Sequence, residues 1–315
     1  MSENAPASDA PGDAGETRAG FVALIGEPNA GKSTLLNRMV GAKVSIVTHK
    51  VQTTRARVRG VAMEGRAQIV FVDTPGLFRP RRTLDRAMVA AAWSGAADAD
   101  IIVVLAEAHR GLTEGLERIL SDLPEKAAGR PVALAVNKID KVRREALLAL
   151  VAQLSEKMDF ERVFLISAEK GDGVKDLKAW LAEQMPEGPW LYPKDDISDL
   201  PLRMIAAEIT REKLTLRLHQ ELPYQLTVET ETWEDRKDGS TKIDQVIYVA
   251  REGHKGILLG KKGETIREIG KLARAEIAEL IGRPVHLFTR VVVRPEWLGE
   301  AERFEQMGLD IRDAK

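Results

Sequence analysis

The chain has no cysteine among its 315 residues, which excludes disulfides and thiolate metal sites. Its five histidines, His49, His109, His219, His254 and His286, are too scattered to suggest a metal cluster. No apolar run approaches the roughly 20 residues that a membrane-spanning helix needs. The start of the chain is acidic and rich in Ala, Ser, Gly and Pro. It lacks the basic beginning and apolar centre of a secretory signal, so residues 1–19 read as a disordered tail. These features point to a cytoplasmic protein of bacterial type. A dominant charge is missing too: 47 Lys and Arg against 48 Asp and Glu leave a net charge of −1. That balance hides an asymmetry. Acidic residues crowd the tail and residues 229–235, whereas Arg251, Lys255, Lys261, Lys262, Arg267, Lys271 and Arg274 gather in one stretch. A pI near 6.6 therefore leaves room for a local basic face.

What is present begins with residues 26–33, Gly-Glu-Pro-Asn-Ala-Gly-Lys-Ser, a complete G-x-x-x-x-G-K-[ST] phosphate loop after the apolar run at residues 21–25. The motif works where a strand ends and a helix begins, and residues 33–40 supply the helix. Gly26 and Gly31 allow close backbone approach, and Glu27, Pro28, Asn29 and Ala30 form the rest of the cradle. Lys32 is expected to reach the β and γ phosphates, and the Ser33 hydroxyl to meet Mg²⁺.

Asn137-Lys138-Ile139-Asp140 follows a second apolar run, at the carboxyl end of a predicted buried strand. An ionised Asp only accepts hydrogen bonds, which suits the neighbouring N1–H and 2-amino donors of guanine. Ser167 and Ala168, after the strand-like residues 162–166, are expected to offer a backbone N–H to guanine O6. Asp73-Thr74-Pro75-Gly76 ends another apolar run. Asp73 is the expected Mg²⁺ partner and the Gly76 N–H the γ-phosphate sensor. Residues 77–85 form one candidate switch. Residues 51–55 form the other, with Thr53 or Thr54 on the metal and Thr54 preferred.

The succession GEPNAGKS, QTTR, DTPG, NKID and ISA resembles the translation-factor-related GTPases, and QTTR with DTPGL is similar to the Era-like group. The resemblance covers residues 20 to about 187 and implies GTP and GDP as ligands. Leu77 stands where Ras-type enzymes carry the glutamine that orients water, so hydrolysis needs other assistance. The resemblance further implies a potassium ion held partly by Asn29, which with Lys32, Thr54 and Gly76 completes the candidate catalytic set. Glu27 departs from the basic or neutral residue expected there, and its side chain is expected to face solvent.

With 34.8 kDa and 44% hydrophobic residues the chain has material for two domains. Prolines 186, 189, 193 and 201 mark residues 186–200 as a linker, with Trp190 and Tyr192 able to dock on one domain. Beyond it, residues 201–295 read α-β-β-α-α-β, the order of a type II KH domain, and residues 296–315 as a tail. The predicted fold class is thus an α/β P-loop GTPase domain at residues 20–185, mostly parallel with helices on both faces, followed by a smaller α+β domain. Gly260-Lys261-Lys262-Gly263 joins two helical segments, with Ile257, Ile266 and Ile269 as aliphatic anchors. The glycines admit an RNA backbone, Lys261 and Lys262 meet phosphates, and a groove beside Ile257 takes about four unpaired bases. Residues 211–213 and 221–224 extend the resemblance. It implies the single-stranded 3′ end of small-subunit (16S) ribosomal RNA as partner, a part in 30S assembly, and loose association with the inner face of the cell membrane. DNA is not an expected partner and a monomer is the expected state. A passive RNA-binding scaffold is the alternative; an ATP-using enzyme is opposed by Asn137 and Asp140.

Overall fold

The computed structural model describes residues 16–48, 58–78, 83–194, 198, 201–218 and 222–295. Six strands form the first sheet: β1 (Arg18–Gly26), β2 (Val58–Glu64), β3 (Ala67–Asp73), β4 (Ile101–Glu107), β5 (Val132–Asn137) and β6 (Arg162–Ile166). Their order is β2-β3-β1-β4-β5-β6. All neighbours are parallel except β2, which returns against β3 through a turn at Gly65 and Arg66. The inner strands are nearly unbroken Val, Ile, Leu and Ala, as strands covered on both faces must be. Along β1, Val22 and Leu24 enter a core with Leu35 and Leu36 of α1 (Lys32–Val40) and with Leu177 and Trp180 of α5 (Val174–Gln184). Ala23 and Ile25 enter the opposite core, shared with α2 (Thr83–Ala97), α3 (Glu114–Ala127) and α4 (Arg144–Ser155). Each fully buried Leu or Ile contributes about 1.5–3 kcal/mol, so these two faces hold the domain together. The strand order reverses at β1, which opens a crevice at the carboxyl ends of β1 and β4.

Arg18 and Ala19, expected in the N-terminal tail, belong to β1. The Ala19 N–H donates to the Pro186 carbonyl and the Gly188 N–H to that of Thr17. Residues 186–192, expected as linker, thus pack on the first domain. Gln68, fully buried on β3, explains why: its Oε1 accepts the N–H groups of Leu191 and Tyr192, and its Nε2 donates to the Tyr192 carbonyl at 2.8 Å. A buried amide needs such partners, and this segment supplies them. Trp190 adds a bond from its indole N–H to the Arg66 carbonyl.

The second domain runs α6 (Leu202–Arg217), β7 (Leu226–Asp235), β8 (Thr241–Val249), α7 (Glu252–Leu259), α8 (Glu264–Ile281) and β9 (Val285–Val293). Its sheet is ordered β7-β8-β9, antiparallel then parallel. On α8, Ile269, Ala273 and Ile277 recur every four residues and form the buried stripe. The domains meet at residues 41–48. Lys43 reaches Glu212 on α6 at 2.6 Å and also Glu276 on α8, Lys213 pairs with both acids, and the Val47 N–H donates to Glu212 at 2.9 Å.

Candidate nucleotide and RNA sites

The carboxyl ends of β1, β3, β4 and β5 bring Gly26, Asp73, Glu107 and Asn137 to one edge of the sheet. Beside them opens a cleft of about 540 Å³ lined by Asn29, Lys32, Ser33, Lys138, Lys141 and Glu169, among others. Gly31 caps the start of α1 at φ 98°, and a Cβ there would stand 2.2 Å from the Asn137 amide nitrogen. Only glycine fits. The N–H groups at the start of α1 and the helix dipole favour an anion here. Lys32 bends over the loop and donates to the Gly26 and Glu27 carbonyls, each at 3.0 Å. Burial pushes its ammonium down to about 8, against the pull of Asp73, Glu107 and Glu27.

Asp73 accepts the hydroxyls of Ser33 at 2.9 Å and Ser45 at 2.8 Å. A carboxylate and hydroxyls so close together make an oxygen donor set that fits a hard cation such as Mg²⁺. Thr53, Thr54 and residues 79–82 lie outside the described residues. Thr74 donates to the Leu24 carbonyl, and the Leu77 N–H to that of Gly26 at 3.0 Å. These bonds seat the segment around Pro75 so closely that a Cβ on Gly76 would lie 2.7 Å from the Pro28 nitrogen. Leu77 is buried in the core with Ala23 and Ile25.

At the other end, Asp140 accepts the Ser167 hydroxyl at 2.8 Å, a bond that holds its carboxyl below the ordinary range. Asp140 is thereby an ionised acceptor. Asn137, buried, donates from Nδ2 to the Ala30 carbonyl, while its Oδ1 accepts the Lys138 and Ala168 N–H groups at 2.8 and 2.9 Å. It fastens the phosphate loop to the base loop. Of the N–H groups expected to face guanine O6, that of Ala168 bonds here to Asn137 and that of Ser167 to the Asp172 carbonyl.

Glu27 also differs from expectation. Its side chain accepts the Thr113 hydroxyl at 2.5 Å and lies 3.9 Å from Arg110, because the start of α3 abuts the loop. Sequence reasoning missed Glu107, Asn37 and Ser45. Asn37 binds the Val44 and Ser45 N–H groups and the Ser45 carbonyl, which aims Ser45 at Asp73. Of these, Glu107 carried a signal, as a carboxylate ending a buried strand.

In the second domain, Gly260, Lys261, Lys262 and Gly263 link α7 to α8. Gly260 sits at φ 70° with its missing Cβ 2.1 Å from the Thr265 hydroxyl, and Lys262 is left-handed at φ 53°. Both lysines are exposed. Ile269 is buried and Ile266 packs against the core, but Ile257 is 61% exposed. It is thus no core anchor: it stands on the surface beside the loop.

Residues 21–138 match the family model of the 50S ribosome-binding GTPases, and residues 221–298 that of the KH domain. The chain is 71% identical over 302 residues to the GTPase Era of Dinoroseobacter shibae, covering 96% of this chain and 98% of that one. It is 61% identical over 294 residues to the GTPase Era of Rhizobium meliloti, covering 93% of each. A crystal structure of Era in complex with MgGDPNP and nucleotides 1506–1542 of 16S ribosomal RNA superposes with a TM-score of 0.87 at 38% identity, over 93% of this chain and 99% of that one. A point variant of Aquifex aeolicus Era bound to GDP·AlF4⁻ gives the same TM-score, identity and coverage. With identity this high over nearly the whole length, and the phosphate loop, guanine loop and Gly-x-x-Gly turn in one architecture, the chain belongs to the GTPase Era family.

Proposed function

We propose that this protein hydrolyses GTP to GDP and phosphate, binds 16S ribosomal RNA through its KH domain and acts as a switch in assembly of the 30S subunit. The observation that carries this reading is the set of bonds beside the cleft by which Asn137 ties the phosphate loop of Lys32 and Ser33 to the segment whose Ser167 holds Asp140, in a chain that also holds the exposed Lys261-Lys262 turn. In the reaction, water attacks the γ phosphorus, the bond to the β–γ bridging oxygen breaks, and GDP leaves. Lys32 and the N–H groups at the start of α1 stabilise charge on the phosphate oxygens. Ser33 and Asp73 would hold Mg²⁺, joined by Thr54; when bound, the ion neutralises phosphate charge. Asp140 selects the base, and Gly76 reports the γ phosphate. Leu77, buried in the core, does not orient water. Potassium held partly by Asn29, itself left-handed at φ 67°, belongs to the same reading and is tested by turnover in KCl against NaCl.

The RNA partner is the single-stranded 3′ region of the 16S molecule, met by Gly260, Lys261, Lys262, Gly263 and the exposed Ile257. Among the described residues no helix is long and apolar enough to cross a membrane. The reading places the protein in the cytoplasm as a monomer, with any membrane contact peripheral. The decisive measurement is affinity for that RNA and for a scrambled one, with a non-hydrolysable GTP analogue and with GDP. Specific binding that tightens with the analogue is expected. Equal affinity for both RNAs would remove the proposed partner.

A further inference from the structure

The loop between β4 and α3 grips the phosphate loop from outside, at two points. Thr113 donates to Glu27 at one. At the other, Glu107 accepts the Lys138 ammonium at 2.5 Å, and that ammonium also donates to the Asn29 carbonyl at 2.7 Å. Arg110 lies between the two, 3.4 Å from Glu107 and 3.9 Å from Glu27. Glu107 is 7% exposed, so its charge is nearly out of water and its attraction to Lys138 is weakly screened.

We propose that Glu107 is a positioning residue for the guanine nucleotide: it holds Lys138 against the Asn29 carbonyl and so fixes the distance between phosphate loop and base loop. This rests on the reading of the cleft as a GTP site. Lys138 has three donors and a flexible stem, and its backbone is left-handed at φ 64°. Without a fixed anion its head would follow solvent. With Glu107 in place the stem is drawn along the cleft wall, and the phosphate loop is tied on this side by Lys138 and on the inner side by Asn137. A nucleotide that must touch both loops at once then finds them already spaced, which lowers the ordering cost of binding.

The lysine, arginine and histidine around Glu107 allow a discriminating test in the full chain. Dissociation of a fluorescent GDP, and KM and kcat for GTP, are measured for wild type, Glu107→Gln, Glu107→Ala, Lys138→Met and the double variant Glu107→Gln with Lys138→Met. Glu107→Ala is expected to release GDP about tenfold faster, the scale of one lost charge-assisted hydrogen bond. Glu107→Gln, which keeps an acceptor oxygen, should recover part of that. KM should rise by more than kcat falls, since Ser33 and Asp73 are positioned by other contacts and Lys32, which Glu107 helps to keep charged, retains its bonds to the Gly26 and Glu27 carbonyls. The double variant should be no worse than Lys138→Met alone. Wild-type GDP release in both Glu107 variants, or fully additive losses in the double variant, would overturn the inference. Should wild type itself not turn over GTP, the GTPase reading fails, and the inference falls with it.

Discussion

In its proposed role Asp140 selects a base only while it is a charged acceptor, and the Ser167 hydroxyl favours that form. A hydroxyl 2.8 Å from one carboxylate oxygen stabilises the ionised form and fixes the plane of the group. Guanine presents two adjacent donors to such a carboxylate, whereas an amide in its place meets one of them with a donor of its own. Asp140→Asn is therefore expected to lower GTP affinity by roughly 100-fold, the sum of two charge-assisted bonds of about 1.5 kcal/mol each. The same variant should accept xanthosine triphosphate, whose base exchanges one donor for an acceptor. Competition binding with both nucleotides checks this, and unchanged GTP preference would remove Asp140 from the base site.

Among the elements, the turn between α7 and α8 shows how a short motif gains meaning from its ends. Gly260 has room for no side chain against Thr265, and Lys262 is held left-handed, so both lysines project from a turn that cannot relax into continuous helix. Lys261→Asp with Lys262→Asp is expected to abolish RNA binding, because two acids would face phosphates, while GTP affinity stays within about twofold. RNA affinity that survives, measured by filter binding, would place the RNA elsewhere. This turn was legible in sequence, as were the phosphate loop and Asn137-Lys138-Ile139-Asp140, because each sits where a periodic apolar segment stops. Glu107, Asn37 and Glu27 were less legible. Their roles depend on Lys138, Ser45 and Thr113, which packing brings near and sequence spacing does not. Arg18 and Ala19 were misplaced for the same reason: they become strand through residues 66–67 and 186, distant in the chain.

The whole molecule is held together across its two domains by a four-charge cluster, and the balance of charges sets the pH range over which it lasts. Burial pushes the Glu276 carboxyl up, but hydrogen bonds from Lys213 and Lys43 outweigh it and leave the group below its ordinary 4.5. Its contribution is therefore complete above pH 4.5 and lost as pH falls through the lower folded value. Burial likewise pushes Lys213 down, and its bonds to Glu276 and Glu212 outweigh that and raise it above 10.5. That contribution is complete below pH 10.5 and lost above it. Docking should thus be level between these limits and weaken in acid. Energy transfer between dyes on the two domains is expected to fall as pH drops below 4.5 in wild type, and Lys43→Met should already give lower transfer at pH 7 with both domains folded. Identical transfer in wild type and Lys43→Met at both pH values would remove the cluster from domain docking. Because Val47, bonded to Glu212, lines the nucleotide cleft, the same loss of docking should alter GTP affinity in wild type, and by reciprocity nucleotide should alter docking.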